Sequence, residues 1–240
     1  MAAEHPTILA TSMGFNRARE PWEPSPVFRY AFELAGSPSR PKLCFVSTGT
    51  GDRQASIDAF YAAFAASDVE ASHLALFDKP NVPDVSAHLL GQDVVWVDRG
   101  SVANLLAVWR AHELDVVLRE CWQAGVVLGG ESAGSACWFD AGTTDSFGDM
   151  RPFVNGLGFL PFSNAVHYRD RREHFHECVA SGRLSDGFAT DAGVGLHFSG
   201  TEYVTAIGDR NNARAYKVTR RSDGSVSEEW LDVKRLMRSW

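Results

Sequence analysis

The sequence predicts an α/β fold with a largely parallel central sheet, helices on both faces and a C-terminal antiparallel extension. Three observations lead there. Short apolar runs rich in β-branched residues alternate with longer amphipathic stretches through about residue 138. After about residue 190 the runs shorten and are separated by Gly, Asp and Asn turns, the pattern of hairpins. The 240 residues are 45% hydrophobic and 22% charged, enough to bury a sizeable core, which excludes a disordered or fibrous chain.

In chain order, Thr7 to Thr11 reads as a strand, Val27 to Ala35 as a helix, Lys42 to Ser47 as a strand and Asp52 to Ala66 as a helix. Asp52 is placed to cap that helix. Ala71 to Phe77, Val94 to Val97 and Val126 to Leu128 read as further strands. Val102 to Gln123 has helical spacing interrupted near His112 to Asp115, so one or two helices cross over there. Gly142 to Gly158 reads as a long functional loop. Gly193 to Phe198, Glu202 to Ile207, Ala213 to Thr219 and Val226 to Leu231 are read as antiparallel strands extending the same sheet. No repeat or Pro/Ser-rich linker divides the chain, so residues 1–240 are expected to form a single domain.

Charge and cysteine usage narrow the function. With 23 Lys+Arg against 30 Asp+Glu the formal charge is -7, which repels polyanions, so neither nucleic acid nor an anionic membrane is an expected partner. No run of about 18 apolar residues and no signal-like start are present, which predicts a cytoplasmic protein. Cys44, Cys121, Cys137 and Cys178 lie far apart without a CxxC pair, the usage of reduced structural thiols.

In a parallel sheet, ligands gather beyond the C-terminal ends of the strands. There the chain has Gly130-Glu131-Ser132-Ala133-Gly134, a G-x-S-x-G segment after a strand and before a helix. A nucleophile elbow needs small residues two positions either side of its serine, because the tight turn brings neighbouring backbone close. The amide of Ala133 then points where an oxyanion would form. The competing structural reading is a Gly-rich turn without chemistry. Ser135 and Cys137 lie further into the helix and read as packing residues.

A serine hydroxyl needs a base, usually a histidine held by a carboxylate. Of eight histidines, His167 follows the apolar run Gly158 to Phe162 and then Asn164-Ala165-Val166, which reads as a strand delivering its side chain to a sheet end. His174, His176, Glu177 and Cys178 raise the question of metal, but residues two apart on a helix diverge, so no metal and no organic cofactor is expected. Gly49-Thr50-Gly51-Asp52 lacks the lysine of a phosphate loop and reads as a strand-to-helix loop beside the cleft.

Four blocks together resemble the peptidase E family of serine peptidases, the group of dipeptidase E (aspartyl dipeptidase) and cyanophycinase. They are Asp98-Arg99-Gly100-Ser101-Val102-Ala103-Asn104, Trp109-Arg110 with Leu114-Asp115, Gly130 to Ser135, and Asn155-Gly156-Leu157-Gly158 leading to His167-Tyr168. The resemblance covers most of the chain and implies a class I glutamine amidotransferase-like fold. It implies Ser132 as nucleophile, His167 as base, and Gly100 and Ala133 as the oxyanion hole. It implies an aspartate between serine and histidine: Asp145 fits by distance, Asp149 by its neighbours, and Asp145 is chosen. Glu131 is a third carboxylate, expected to point away from the adjacent serine. One departure is visible, since Asp98-Arg99 precede a single Gly100 where the family carries a run of glycines. Both are candidates for substrate contact.

The resemblance further implies cleavage of dipeptides with an N-terminal aspartate, whose side chain an arginine after the histidine binds. Arg172 is the better match and Arg171 the alternative, and a guanidinium fork suits a carboxylate. The expected partners are a small peptide substrate and a second copy in a homodimer. Two other readings stand beside this one. An α/β-hydrolase esterase shares G-x-S-x-G but lacks its HGGG-type segment here. A non-catalytic binding module on the amidotransferase-like fold keeps the cleft without turnover.

Overall fold

The computed structural model describes residues 3–37 and 39–237. Strand β1 (Thr7–Thr11) leads through a two-stranded ribbon, β2 (Phe15–Asn16) and β3 (Glu23–Pro24), into helix α1 (Val27–Leu34). There follow β4 (Lys42–Val46), α2 (Gln54–Phe64), β5 (Glu70–Leu74), α3 (Val85–Leu90), β6 (Val94–Val97), α4 (Val102–Ala111), α5 (Leu114–Gln123) and β7 (Val127–Glu131). Next come α6 (Ala133–Ala136), β8 (Phe139–Phe147), β9 (Asp149–Phe153), β10 (Leu160–Val166), α7 (Tyr168–Ala180) and β11 (Gly187–Thr190). The chain closes with β12 (Val194–Ser199), β13 (Glu202–Gly208), β14 (Ala215–Arg220), β15 (Val226–Leu231) and β16 (Val233–Arg235).

The main sheet has eight strands in the order β16-β13-β12-β1-β7-β6-β4-β5. From β1 to β5 every pair is parallel, whereas β12 joins β1 antiparallel and β13 joins β12 antiparallel. The period of two explains its double burial. Leu9, Phe45 and Trp96 face α1 and α2, while their neighbours Ile8, Ala10, Cys44, Val46, Val95 and Val97 face α3, α4 and α5. The predicted interruption of the crossover is the step from α4 to α5, where Glu113 takes a positive φ of 54°.

Two readings of the second half change. Only β12 and β13 extend the main sheet antiparallel; β14 and β15 belong to a second sheet of six strands, β15-β14-β11-β10-β8-β9. Residues 142–158 are largely a hairpin of β8 with β9 rather than a loop, because Thr143 and Thr144 pair with Pro152 and Arg151 across it. The second sheet lies between the main sheet and α7. Its Phe139, Leu160 and Phe188 join the core shared with the main sheet, and its Ala141, Ala165 and Ala189 pack under Phe175 and Val179 of α7. Nor does Asp52 cap α2. That position is Arg53, and the Asp52 carboxylate instead accepts the amides of Leu76 (2.6 Å) and Phe77 (3.3 Å), tying two strand ends together.

Candidate active site

Strand β7 ends at Glu131, and Ser132 turns the chain into α6 with φ 60° and ψ -107°. Small neighbours make that turn feasible. A Cβ on Gly130 would lie 2.3 Å from the carbonyl oxygen of Gly134, and one on Gly134 would lie 2.2 Å from that of Val97. The Ser132 amide donates to the Thr11 carbonyl of β1 at 3.0 Å, which ties the elbow to the neighbouring strand. Ala133 is the first residue of α6, so its amide has no acceptor within the helix. Gly100, at φ 132°, lines the same recess, its backbone pressed so closely on Gly49 that a Cβ would come within 2.2 Å of the Gly49 oxygen.

His167 stands at the end of β10 in the left-handed region (φ 51°), as the residue before α7. Its Nε2 lies 3.1 Å from Ser132 Oγ. Its amide donates to Ser12 Oγ at 3.2 Å, and that hydroxyl also meets Thr190 Oγ1 at 2.7 Å. Burial holds the imidazole below its ordinary range, with the charge of Arg171 acting the same way and those of Asp145 and Asp170 opposing. The ring is therefore neutral at neutral pH and its Nε2 can accept the serine proton.

Of the two candidate loop acids, Asp145 lines the recess with Ser132, Gly100 and Ala133. Its Oδ1 pairs with Arg171 at 3.1 Å, and no Asp145–His167 hydrogen bond is formed among the described residues. Asp149 faces solvent and pairs with Arg151 at 3.3 Å. The two adjacent arginines part. Arg172, with its side chain 55% exposed, forks onto Glu228 (2.7 and 3.0 Å) away from the serine. Arg171 is buried, donates to the Thr143 carbonyl at 2.9 Å and lines the recess. On a helix adjacent positions diverge by about 100°, so only one of the two can face β8.

Behind the elbow lies an ion cluster that local patterns do not announce. Asp98 is 1% exposed and pairs with Arg17, which also binds Glu131 at 3.0 Å. The guanidinium carbon of Arg17 sits 4.2 Å from the Trp22 ring. Burial pushes the Asp98 carboxyl up, against the pull of Arg17. Asp98 and Glu131 thus share one cation. Arg17 pins the ends of β6 and β7, the two strands that deliver Gly100 and Ser132. Ser12 had one usable signal, its position at the C-terminal end of the first parallel strand. Arg17, in an irregular segment, had none.

The remaining candidates sit elsewhere. Ser135 is buried with Oγ 3.3 Å from Asn164 Oδ1. Cys178 Sγ lies 3.5 Å from His174 Nε2 on α7, and among the described residues no group of three His, Cys, Asp or Glu is placed to hold a metal. All four cysteines are buried and free, and burial pushes the Cys44 and Cys121 thiols up to about 12. Among the described residues no helix is long and apolar enough to cross a membrane.

An α/β protein with a serine at a glycine-flanked elbow, facing a neutral histidine, is the class these features define. The chain belongs to peptidase family S51, whose sequence model matches residues 9–206. It is 40% identical over 200 residues to the uncharacterized peptidase YgaJ of Bacillus subtilis (strain 168), covering 82% of this chain and 86% of that protein. Its fold is similar to that of a peptidase from an acI-B1 Actinobacterium, with a TM-score of 0.67 at 16% identity over 97% of this chain and 95% of that one. A protein of Listeria monocytogenes EGD-e that carries the peptidase E name matches with a TM-score of 0.58 at 16% identity, over 82% of this chain and 96% of that one. The fold is thus the class I glutamine amidotransferase-like fold of peptidase E proteins, which sets aside the α/β-hydrolase alternative. Family membership makes the chain a hydrolase of the peptidase class.

Proposed function

We propose that this chain is a serine peptidase that hydrolyses short peptides, foremost dipeptides with an N-terminal aspartate. The observation that carries this is the 3.1 Å approach of His167 Nε2 to Ser132 Oγ at a turn only small neighbours allow. Ser132 Oγ attacks the peptide carbonyl while His167 Nε2 takes its proton, and the oxyanion forms against the amides of Gly100 and Ala133. Collapse breaks the C–N bond as His167 returns the proton to the leaving amine. Water, deprotonated by the same imidazole, then attacks the ester and frees Ser132. No metal or organic cofactor enters these steps.

Among the described residues Arg171 is the only cation lining the Ser132 recess, which supports it as the partner of the aspartyl side chain. In the resting state Asp145 occupies that guanidinium. A substrate carboxylate competes for it, and the Asp145 carboxylate so released stabilises the imidazolium of His167. A cytoplasmic site of action belongs to this reading, supported by four buried free thiols.

The test is release of free aspartate from Asp-X, Glu-X, Ala-X and β-aspartyl dipeptides by wild type and Ser132→Ala, with folding checked by circular dichroism. Selective Asp-X cleavage that disappears in the variant is the expected result. Cleavage that survives the substitution removes Ser132 as nucleophile. No cleavage, together with no reaction of Ser132 with a serine-directed phosphonate, turns the assignment to a binding module.

A further inference from the structure

His167 divides two recesses. Ser132, Gly100, Ala133, Asp145 and Arg171 line the first. His167, Arg169, Asp170, Asp191, Arg210 and Asn212 line the second, an open recess of about 420 Å³. That volume lies in the range of small-ligand pockets. The two share no lining residue and adjoin where Ser132 and His167 touch.

The direction of proton transfer says what the second recess receives. His167 takes a proton from Ser132 and must hand it to the departing amine, so the leaving residue lies on the histidine side. In a dipeptide the terminal carboxylate oxygens lie within about 4 Å of that amine nitrogen, by ordinary bond lengths. The free carboxylate therefore enters the second recess. In a longer peptide the same place holds a neutral carbonyl and the chain runs on.

The cations of this recess are suited to that charge. Arg169 is exposed and forms no ion pair among the described residues. Arg210 packs its aliphatic stem over Gly193 and stands 3.8 Å from Asp209, longer than a hydrogen bond. Of the acids, Asp191 accepts the Arg214 amide at 3.2 Å, and Asp170 acts on the His167 ring. A protein of formal charge -7 needs such local cations to admit an anionic dipeptide.

We infer that Arg169 and Arg210 form a subsite for the free C-terminal carboxylate of the leaving residue, which restricts the enzyme to dipeptides. This rests on the peptidase reading above. The experiment compares kcat/KM for Asp-Leu and its C-terminal amide in wild type, Arg169→Met, Arg210→Met and the double variant. Wild type is expected to favour the free acid by about tenfold to a hundredfold, the span of a charge-assisted hydrogen bond. In the double variant that ratio should fall towards one, with Arg169→Lys retaining part of it. Loss of folded protein lowers both rates together and leaves the ratio intact, so a preserved ratio overturns the subsite. Equal cleavage of acid and amide by wild type overturns it too, while leaving the peptidase reading standing. Cleavage of neither by folded wild type sinks both.

Discussion

Ser132 and His167 meet at 3.1 Å, yet the two sheets hold them by unlike means. In the main sheet Ser132 is fixed by backbone: a turn at φ 60°, a hydrogen bond from its amide to the Thr11 carbonyl, and glycines so close to carbonyls that no side chain fits. In the second sheet His167 is fixed through side chains. The Ser12 hydroxyl, itself in contact with that of Thr190, accepts its amide, and α7 is latched to β15 by Glu228. That carboxylate accepts from Tyr168 (2.7 Å) and Arg172 (2.7 and 3.0 Å), with His176 at 3.0 Å. Backbone positioning is indifferent to charge and intolerant of bulk. Side-chain positioning is the reverse.

The largest expected effect is chemical. Ser132→Ala should lower kcat by about 10⁴-fold or more with an unchanged melting temperature, measured by dipeptide hydrolysis and calorimetry. Next is bulk on the backbone-built side. Gly134→Ala should destabilise by about 3 kcal/mol, since its Cβ meets Val97 at 2.2 Å, and a variant as stable as wild type in urea would break the contrast.

Charge should matter on the main-sheet side only where it is buried. Arg17→Met leaves Asp98 and Glu131 without their shared cation and should cost about 3 kcal/mol. The sign with pH follows. Burial and mutual repulsion raise the carboxyl above its unfolded value, so the variant keeps its stability at low pH and loses it as pH rises through that raised value. A deficit larger at pH 5 than at pH 8 in urea titrations would contradict this.

His197 of β12, bonded to Tyr30 at 2.9 Å, is pushed down by burial to about 4. Its unfolded value is about 6.5, so this contribution is whole above that pH. As pH falls from there to about 4, wild type should lose about 2 to 3 kcal/mol. His197→Phe should flatten that limb of the urea midpoint against pH. The smallest effect belongs to the exposed fork on Glu228: Arg172→Met should cost less than about 1 kcal/mol and leave KM for Asp-X unchanged. A many-fold rise in that KM would restore Arg172 to the substrate site and displace Arg171.

The same contrast explains what could be read in advance. Strands such as Val94–Val97, buried on both faces, are continuous apolar runs, and the elbow is a local pattern of small residues, so both are visible in one dimension. Residues 139–153 mix Thr, Asp, Ser and Gly with few apolar positions. Their strand character comes from pairing across the sheet, which no local window contains. The choice between Arg171 and Arg172 depended on the rotation of α7 about its axis. That rotation is set by Phe175 and Val179 packing on the alanines of the second sheet. Arg17 reaches partners 81 and 114 residues away, a separation that leaves no trace in local spacing.

The hydroxyl of Ser12 has a consequence in time as well as in space. It is made before the histidine amide it receives, which follows 155 residues later, and before the threonine it meets, 178 later. A nascent chain that has passed Trp138 already carries the complete elbow and Ser12, but neither His167 nor Thr190. The Ser132–His167 contact and its Ser12–Thr190 support are therefore complete only once β11 has been made, so the part of the molecule that is written first waits for the part that is written late.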